Sequence, residues 1–254
     1  MNNLSDVLHY QAPKELLKNK VILVSGAGDG IGRVAALQYA AHGATVLLLG
    51  KTTKKLEKTY DEIEQAGYPK AGIYPINFEG AIEKDYEDMA AAIEKEFSHL
   101  DGILHNASEL GPRTPLAQYP EETWNKIIQV NATAPFLMTK ALLPLLERAQ
   151  NPSVIFTGSS VGYVGRAYWG AYAVSKAATE NIMQIFSAET AEATTIRVNS
   201  INPGAVGTKM RASAYPAEDP RTLKQPIDIM PTYLFLMGED SVGITGQQFY
   251  AQEK

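Results

Sequence analysis

Short apolar runs alternate with longer segments whose apolar positions recur every three or four residues, along almost the whole chain. The runs at 21–25, 45–49, 72–76, 102–105, 153–157 and 195–201 have the length of buried strands, and the segments at 31–42, 54–65, 84–97, 121–147 and 172–191 have the period of helices. Strands that are apolar at nearly every position are covered on both faces, which an alternating β-α order achieves with a parallel sheet between two helix layers. The pattern therefore predicts an α/β fold in one domain spanning residues 1–254, a doubly wound parallel sheet of about seven strands with helices on both faces. In such sheets ligands bind beyond the carboxyl ends of the strands, so the strand ends are where chemistry is sought.

Composition narrows the functional classes. The 254 residues are 45% hydrophobic and 20% charged, the balance of a folded globular chain. A net charge of −5 gives no basic field for phosphate backbones or anionic lipid, so neither nucleic acid nor membrane is an expected partner. Without cysteine the chain can form no disulfide, thiolate metal site or cysteine nucleophile. Its four histidines, His9, His42, His99 and His105, lack metal-ligand spacing and read mostly as surface residues, so no metal is expected. No leader pattern or apolar run of membrane length is visible, and the cytoplasm is the expected compartment.

The first strand ends in Ser25-Gly26-Ala27-Gly28-Asp29-Gly30-Ile31-Gly32, directly before a helical segment. Glycines there allow positive φ and let a pyrophosphate approach the backbone, while the amides and dipole of the helix N-terminus attract its charge. The spacing of Gly26, Gly30 and Gly32 is G-x-x-x-G-x-G. The second strand ends Leu49-Gly50-Lys51, where an acid would select the ribose 2′-hydroxyl and a cation a 2′-phosphate. Lys51 thus points to NADP(H) over NAD(H), against the opposing field of Asp29 in the loop.

Tyr172 and Lys176 open a helical segment four residues apart and so share one face. A phenol of pKa ~10 is a poor acid and base at neutral pH, but a neighbouring ammonium and a cationic nicotinamide would both favour the phenolate. The same Y-x-x-x-K spacing occurs at Tyr10 and Lys14, where Pro13 interrupts the helix and marks a decoy. Ser159 ends the apolar run 154–156 and would present its hydroxyl at a strand terminus, with Ser160 as the competing hydroxyl.

Taken together, the glycine loop, Asn131, Ser159, Tyr172 with Lys176, and Asn202-Pro203-Gly204 resemble the short-chain dehydrogenase/reductase family, over nearly the whole chain. The segments Leu104-His105-Asn106-Ala107, 165–172 and 210–214 resemble one bacterial branch of it. The resemblance implies a Rossmann fold and an NADP(H)-dependent oxidoreductase acting between a carbonyl and a secondary alcohol. Tyr172 would be the general acid and base, Ser159 the hydrogen-bond donor to the substrate oxygen, Lys176 the group that lowers the tyrosine pKa and binds the nicotinamide ribose, and Asn131 the holder of a relay water. Asn106 and Ala107 would line the cofactor, and Pro203, Gly204, Val206 and Thr208 would meet the carboxamide. A homodimer or homotetramer with a four-helix contact is also implied, drawing on Ile127, Val130, Phe136, Leu142, Ile182, Ile185 and Phe186.

The sequence departs from the family pattern at Ser25, usually threonine, and at His105 and Ser108 around the fourth strand end. Asn77-Phe78 stands where an aspartate usually accepts from the adenine amino group; the amide oxygen can still accept. Residues 204–226 are long enough for a lid, and Tyr163, Tyr168 and Trp169 suggest an aromatic wall. Arg166 and Arg211 are candidates for an anionic substrate or for surface ion pairs. The alternatives are a 3-oxoacyl-thioester reductase and a non-catalytic dinucleotide-binding redox sensor.

Overall fold

A computed structural model describes residues 7–253. Seven strands, β1 (Val21–Ser25), β2 (Thr45–Gly50), β3 (Gly72–Pro75), β4 (Gly102–His105), β5 (Ser153–Thr157), β6 (Arg197–Asn202) and β7 (Gln248–Tyr250), form one sheet. All pairings are parallel and the order is β3-β2-β1-β4-β5-β6-β7. Residues along β1 alternate between the two cores: Ile22 and Val24 join one apolar cluster, Val21 and Leu23 the other. That is the period of two expected for a strand buried on both sides.

The first cluster is covered by α1 (Gly30–Ala41), α2 (Thr53–Gln65) and α9 (Met230–Met237), the second by α3 (Glu83–Phe97), α5 (Ala134–Leu146) and α7 (Gly170–Thr190). Between them in sequence lie α4 (Glu121–Ile128), the short α6 (Ser160–Tyr163) and α8 (Lys209–Ala214). The expected helix 121–147 is continuous but carries a π turn at Gln129–Thr133, in which the Ala134 amide reaches back to the Gln129 carbonyl. The sixth strand begins two residues later than expected. Helix α9 and β7 were not delimited from the sequence; α9 is apolar on every face because it is buried nearly all round, so it has no amphipathic period to read.

Two expectations change here. His105 is not a surface residue: it is 4% exposed, stacks on Phe156 and bonds Thr139. Ile127, Val130 and Leu142, expected on an outer face, are buried in the monomer, whereas Phe136, Val174 and Ile185 are exposed. Tyr10 of the decoy pair donates to Asp240 at 2.6 Å and packs edge-on against Phe235, far from any helix shared with Lys14.

Candidate active site

The strand order reverses between β1 and β4, so their connections leave in opposite directions and open a crevice at the sheet's carboxyl edge. Ser25, at the end of β1, closes the floor. Its hydroxyl accepts from the amides of Asn106 and Ala107 at 2.9 and 3.1 Å and donates to the Leu104 carbonyl. Ser25 therefore ties β1 to the end of β4 beneath the cleft and does not itself line it.

Above that floor is a cavity of about 760 Å3, within the usual range of ligand sites. The loop after β1 supplies Gly26, Gly28, Asp29, Gly30 and Ile31, with Gly26 and Gly30 at φ +71° and +53°. Gly32 sits behind the loop, where only hydrogen fits. Asp29 caps α1 by accepting from the Gly30 amide, and its other oxygen pairs with Lys55 at 2.8 Å and Lys209 at 3.0 Å. These partners hold its carboxyl down at about 2, Lys55 foremost. The opposing field expected from Asp29 is thus answered locally. Lys51 lines the cavity and pairs with Glu109; Lys55, one helical turn further, lines it too. Asn77, Phe78, Asn106 and Ala107 complete this half.

The other half is carried by β5, α6, α7 and the segment after β6. Ser159 lines the cavity and hydrogen-bonds the Tyr172 hydroxyl; Ser160 is also in the wall but is more exposed. Lys176 Nζ donates to the Thr157 carbonyl at 2.7 Å and lies 5.7 Å from the centre of the Tyr172 ring. Burial pushes the Tyr172 phenol up to about 12, with the Ser159 hydrogen bond opposing, and pushes Lys176 down to about 8. Desolvation thus outweighs the pull toward phenolate expected from the neighbouring ammonium, and the phenol is neutral at neutral pH. Such a group is an acid in waiting, able to donate to an oxygen that gains charge.

Asn131 is 2% exposed and does not line the cavity. Its Oδ1 accepts from the Glu109 amide at 2.8 Å, and its Nδ2 donates to the Glu109 carbonyl and to Ser175 Oγ. Its carbonyl accepts from Thr179. Through these bonds the side chain braces the loop after β4. Pro203, Gly204, Val206 and Thr208 do line the cleft, and Thr208 caps α8 by accepting from the Arg211 amide.

Of the expected aromatic wall only Trp169 faces the cavity, 5.7 Å from Tyr172. Tyr168 is 55% exposed, and Tyr163 turns toward Glu180 and Tyr250. Tyr215, not singled out from the sequence, lines the cavity together with the expected Arg211, and Arg113, also not singled out, packs behind them. Arg113, in the loop after β4, lies 4.4 Å over Trp169 and 5.0 Å over Tyr215 and donates to the Ala214 carbonyl at 2.8 Å. Arg211 also lies over the Tyr215 ring, at 3.9 Å, and forms a two-pronged pair with Glu218. The segment after β6 is thus closed over the cleft by stacked guanidinium and aromatic groups. No spacing in one chain segment signals Arg113, because its partners come from two distant loops.

The residues around the glycine loop fit a dinucleotide. Backbone amides of a helix N-terminus face the cavity, two lysines stand at the β2 end, and the Ser108 hydroxyl is buried in the wall without a protein partner. Among the described residues no helix is long and apolar enough to cross a membrane.

The short chain dehydrogenase family model matches residues 20–219. Escherichia coli (strain K12) oxidoreductase YciK is 46% identical over 245 residues, 96% of each chain. A short chain dehydrogenase from Pseudomonas syringae is 53% identical with a TM-score of 0.92, covering 96% of this chain and 99% of that one. A third, from Shigella flexneri 2a and solved in complex with NADP, is 45% identical with a TM-score of 0.92, over 95% and 100% of the two chains.

Proposed function

This chain belongs to the short-chain dehydrogenase family, and from that premise we propose that it interconverts a carbonyl and a secondary alcohol using NADP(H), with Tyr172 as general acid and base. The observation that carries the reading is the meeting of Tyr172, Ser159 and Lys176 at the wall of the cavity that the glycine loop opens. The dinucleotide supplies the hydride at its nicotinamide ring. Gly26, Gly28 and Gly30 would hold its phosphates, Lys51 and Lys55 a 2′-phosphate, and Asn77, Asn106, Ala107, Pro203, Gly204, Val206 and Thr208 the remaining surfaces. The preference for NADP(H) is supported by two lysines and no free acid at the β2 end, and by the NADP complex of a relative.

Ser159 would donate to the substrate oxygen and hold it within reach of the phenol. In reduction the neutral Tyr172 gives up its proton as that oxygen gains charge; in oxidation the phenolate takes one back. Lys176 stabilises the phenolate as it forms, since an ammonium favours the charged partner. A dinucleotide-binding sensor would have no need of this acid.

Tyr172→Phe is the test. It should lower NADPH-dependent turnover on a panel of carbonyl compounds by about 100- to 10,000-fold while leaving NADPH binding intact; unchanged turnover would remove Tyr172 from the reaction. We further read the chain as one NAD(P)-binding domain that assembles as a homodimer or homotetramer. Exposed Phe136, Val174 and Ile185 on α5 and α7 support that assembly. Light scattering that reports a monomer at micromolar concentration would refute it.

A further inference from the structure

An ammonium taken out of water loses its solvation, a large cost unless an opposite charge replaces it. Lys176 is 4% exposed, and the Thr157 carbonyl that its Nζ meets is neutral. One turn along the same face of α7 stands Glu180, also 4% exposed. Three other elements hold its carboxylate in place. Oε1 accepts from the Tyr163 hydroxyl of α6 at 3.2 Å, and Oε2 accepts from Ser200 Oγ of β6 at 2.7 Å and Gln248 Nε2 of β7 at 3.0 Å. The backbone beside Ser159 makes room for it: a Cβ on Gly158 would lie 2.1 Å from Oε1. The carboxylate therefore sits between the strand end that carries Ser159 and the helix that carries Tyr172 and Lys176.

We infer that Glu180 is a positioning residue that acts through Lys176, as the buried counter-ion that keeps this side chain cationic beside Tyr172. The inference rests on the acid and base role proposed for Tyr172. Two effects oppose each other on the lysine: burial pulls its pKa down, and the charge of Glu180 pulls it up. On Glu180 burial pulls the pKa up, while Ser200, Tyr163, Gln248 and the charge of Lys176 pull it down. The carboxylate is held by Tyr163 on α6, with Tyr250 of β7 behind it, and by the uncharged Ser200 and Gln248, and it interacts through charge with Lys176 one turn back on α7. Lys176 is the cation among them.

A purely structural tie between α6, α7, β6 and β7 makes the opposite demands on this position, and that contrast supplies the test. Glu180→Gln keeps the shape and removes the charge, whereas Glu180→Asp keeps the charge and shortens the reach. With carbonyl reduction followed by NADPH absorbance from neutral to strongly alkaline pH, Glu180→Gln should move the alkaline limb of kcat/KM down by about one pH unit. Glu180→Asp should stay nearer the wild type despite a lower melting temperature. An unmoved limb in folded Glu180→Gln, or a larger shift in the aspartate than in the glutamine variant, overturns the inference. If Glu180→Gln does not fold, NMR of wild-type protein labelled at lysine Cε, with Lys176→Arg to assign the signal, reads the charge directly. Lys176 cationic at pH 7 supports the inference, and a neutral Lys176 overturns it. Should Tyr172→Phe remain fully active, the reaction itself has been misread; should it be inactive while the Glu180→Gln limb is unmoved, only the counter-ion role falls.

Discussion

Adding one methyl group at Gly32 should damage both stability and dinucleotide binding. A Cβ built there lies 2.4 Å from the Gly26 carbonyl oxygen, 2.5 Å from Asn106 Nδ2 and 2.9 Å from the Gly26 carbonyl carbon. Comfortable contact needs roughly 3.5 Å or more, so about 1 Å of movement is required. The loop has little room to retreat, because a Cβ on Gly26 would itself already be 3.0 Å from the Ala107 backbone. Helix α1 and the end of β4 therefore clamp the loop from two sides. Overpacking of this kind costs about 1–3 kcal/mol, and it falls either on folding or on the loop geometry that lines the cavity. If all of it falls on binding, NADPH affinity drops about five- to 150-fold. Gly67→Ala is the control: φ is +71° but nothing lies within 4 Å, so it should cost about 1 kcal/mol of strain and no affinity. Urea unfolding measures one share and NADPH fluorescence titration the other. A Gly32→Ala protein as stable as wild type that binds NADPH within twofold would refute the clamp.

Three further outcomes are expected. Burial holds the His105 imidazole down at about 3, below its unfolded value of ~6.5, so the unfolded chain binds the extra proton. Its contribution is therefore fully present above about pH 6.5 and is lost as pH falls toward 3, by about 2 kcal/mol at pH 5; urea unfolding at pH 7 and pH 5 should show that loss in the wild type and less of it in His105→Phe. Lys51→Ala should weaken NADPH about tenfold by removing one charge-assisted contact to the 2′-phosphate and leave NADH unchanged; an equal loss for both would move the preference elsewhere. Arg113→Ala removes two ring contacts and a hydrogen bond to Ala214, worth about 1–2 kcal/mol together, and should raise substrate KM with NADPH affinity unchanged; equal KM values would show that the stacked closure does not shape the substrate end.

Most strands were legible because a strand buried on both faces is apolar at nearly every position, and β1, β4 and β5 match the sequence ranges to the residue. The glycine loop, Ser159, Tyr172 and Lys176 were legible for a related reason: a turn at a strand end and a four-residue helical spacing are local geometry, which sequence carries directly. Helix α9 and strand β7 were not, the first because it is apolar all round and the second because three residues carry no period. Lys55 was visible as a charge but not as part of the cleft, since only the packing of α2 against Gly28 brings it there. Glu180 follows Lys176 by the same step of four that joins Tyr172 to Lys176, so its place on that helix face is legible in the sequence. What the sequence could not reveal is that Ser200 and Gln248, from strands far along the chain, would hold that carboxylate buried.

Asn131 illustrates how a polar residue can serve the cleft without entering it. Helix α7 presents one polar face to the cavity, with Tyr172 and Lys176, and a second to the π turn, with Ser175 and Thr179. Ser175 Oγ donates to the Tyr172 carbonyl and accepts from Asn131 Nδ2, while Thr179 Oγ1 shares its one proton between the Asn131 carbonyl at 3.0 Å and the Ser175 carbonyl one turn back at 2.9 Å. The remaining capacity of the Asn131 amide goes to Glu109, whose carboxylate holds Lys51. One buried side chain thus links the helix that orients the phenol to the loop that places a lysine at the nucleotide end. Unsatisfied buried polar groups are expensive, so these partners fix one another's positions. The two ends of the cleft are therefore held in register through the body of the protein, whether or not a ligand spans them.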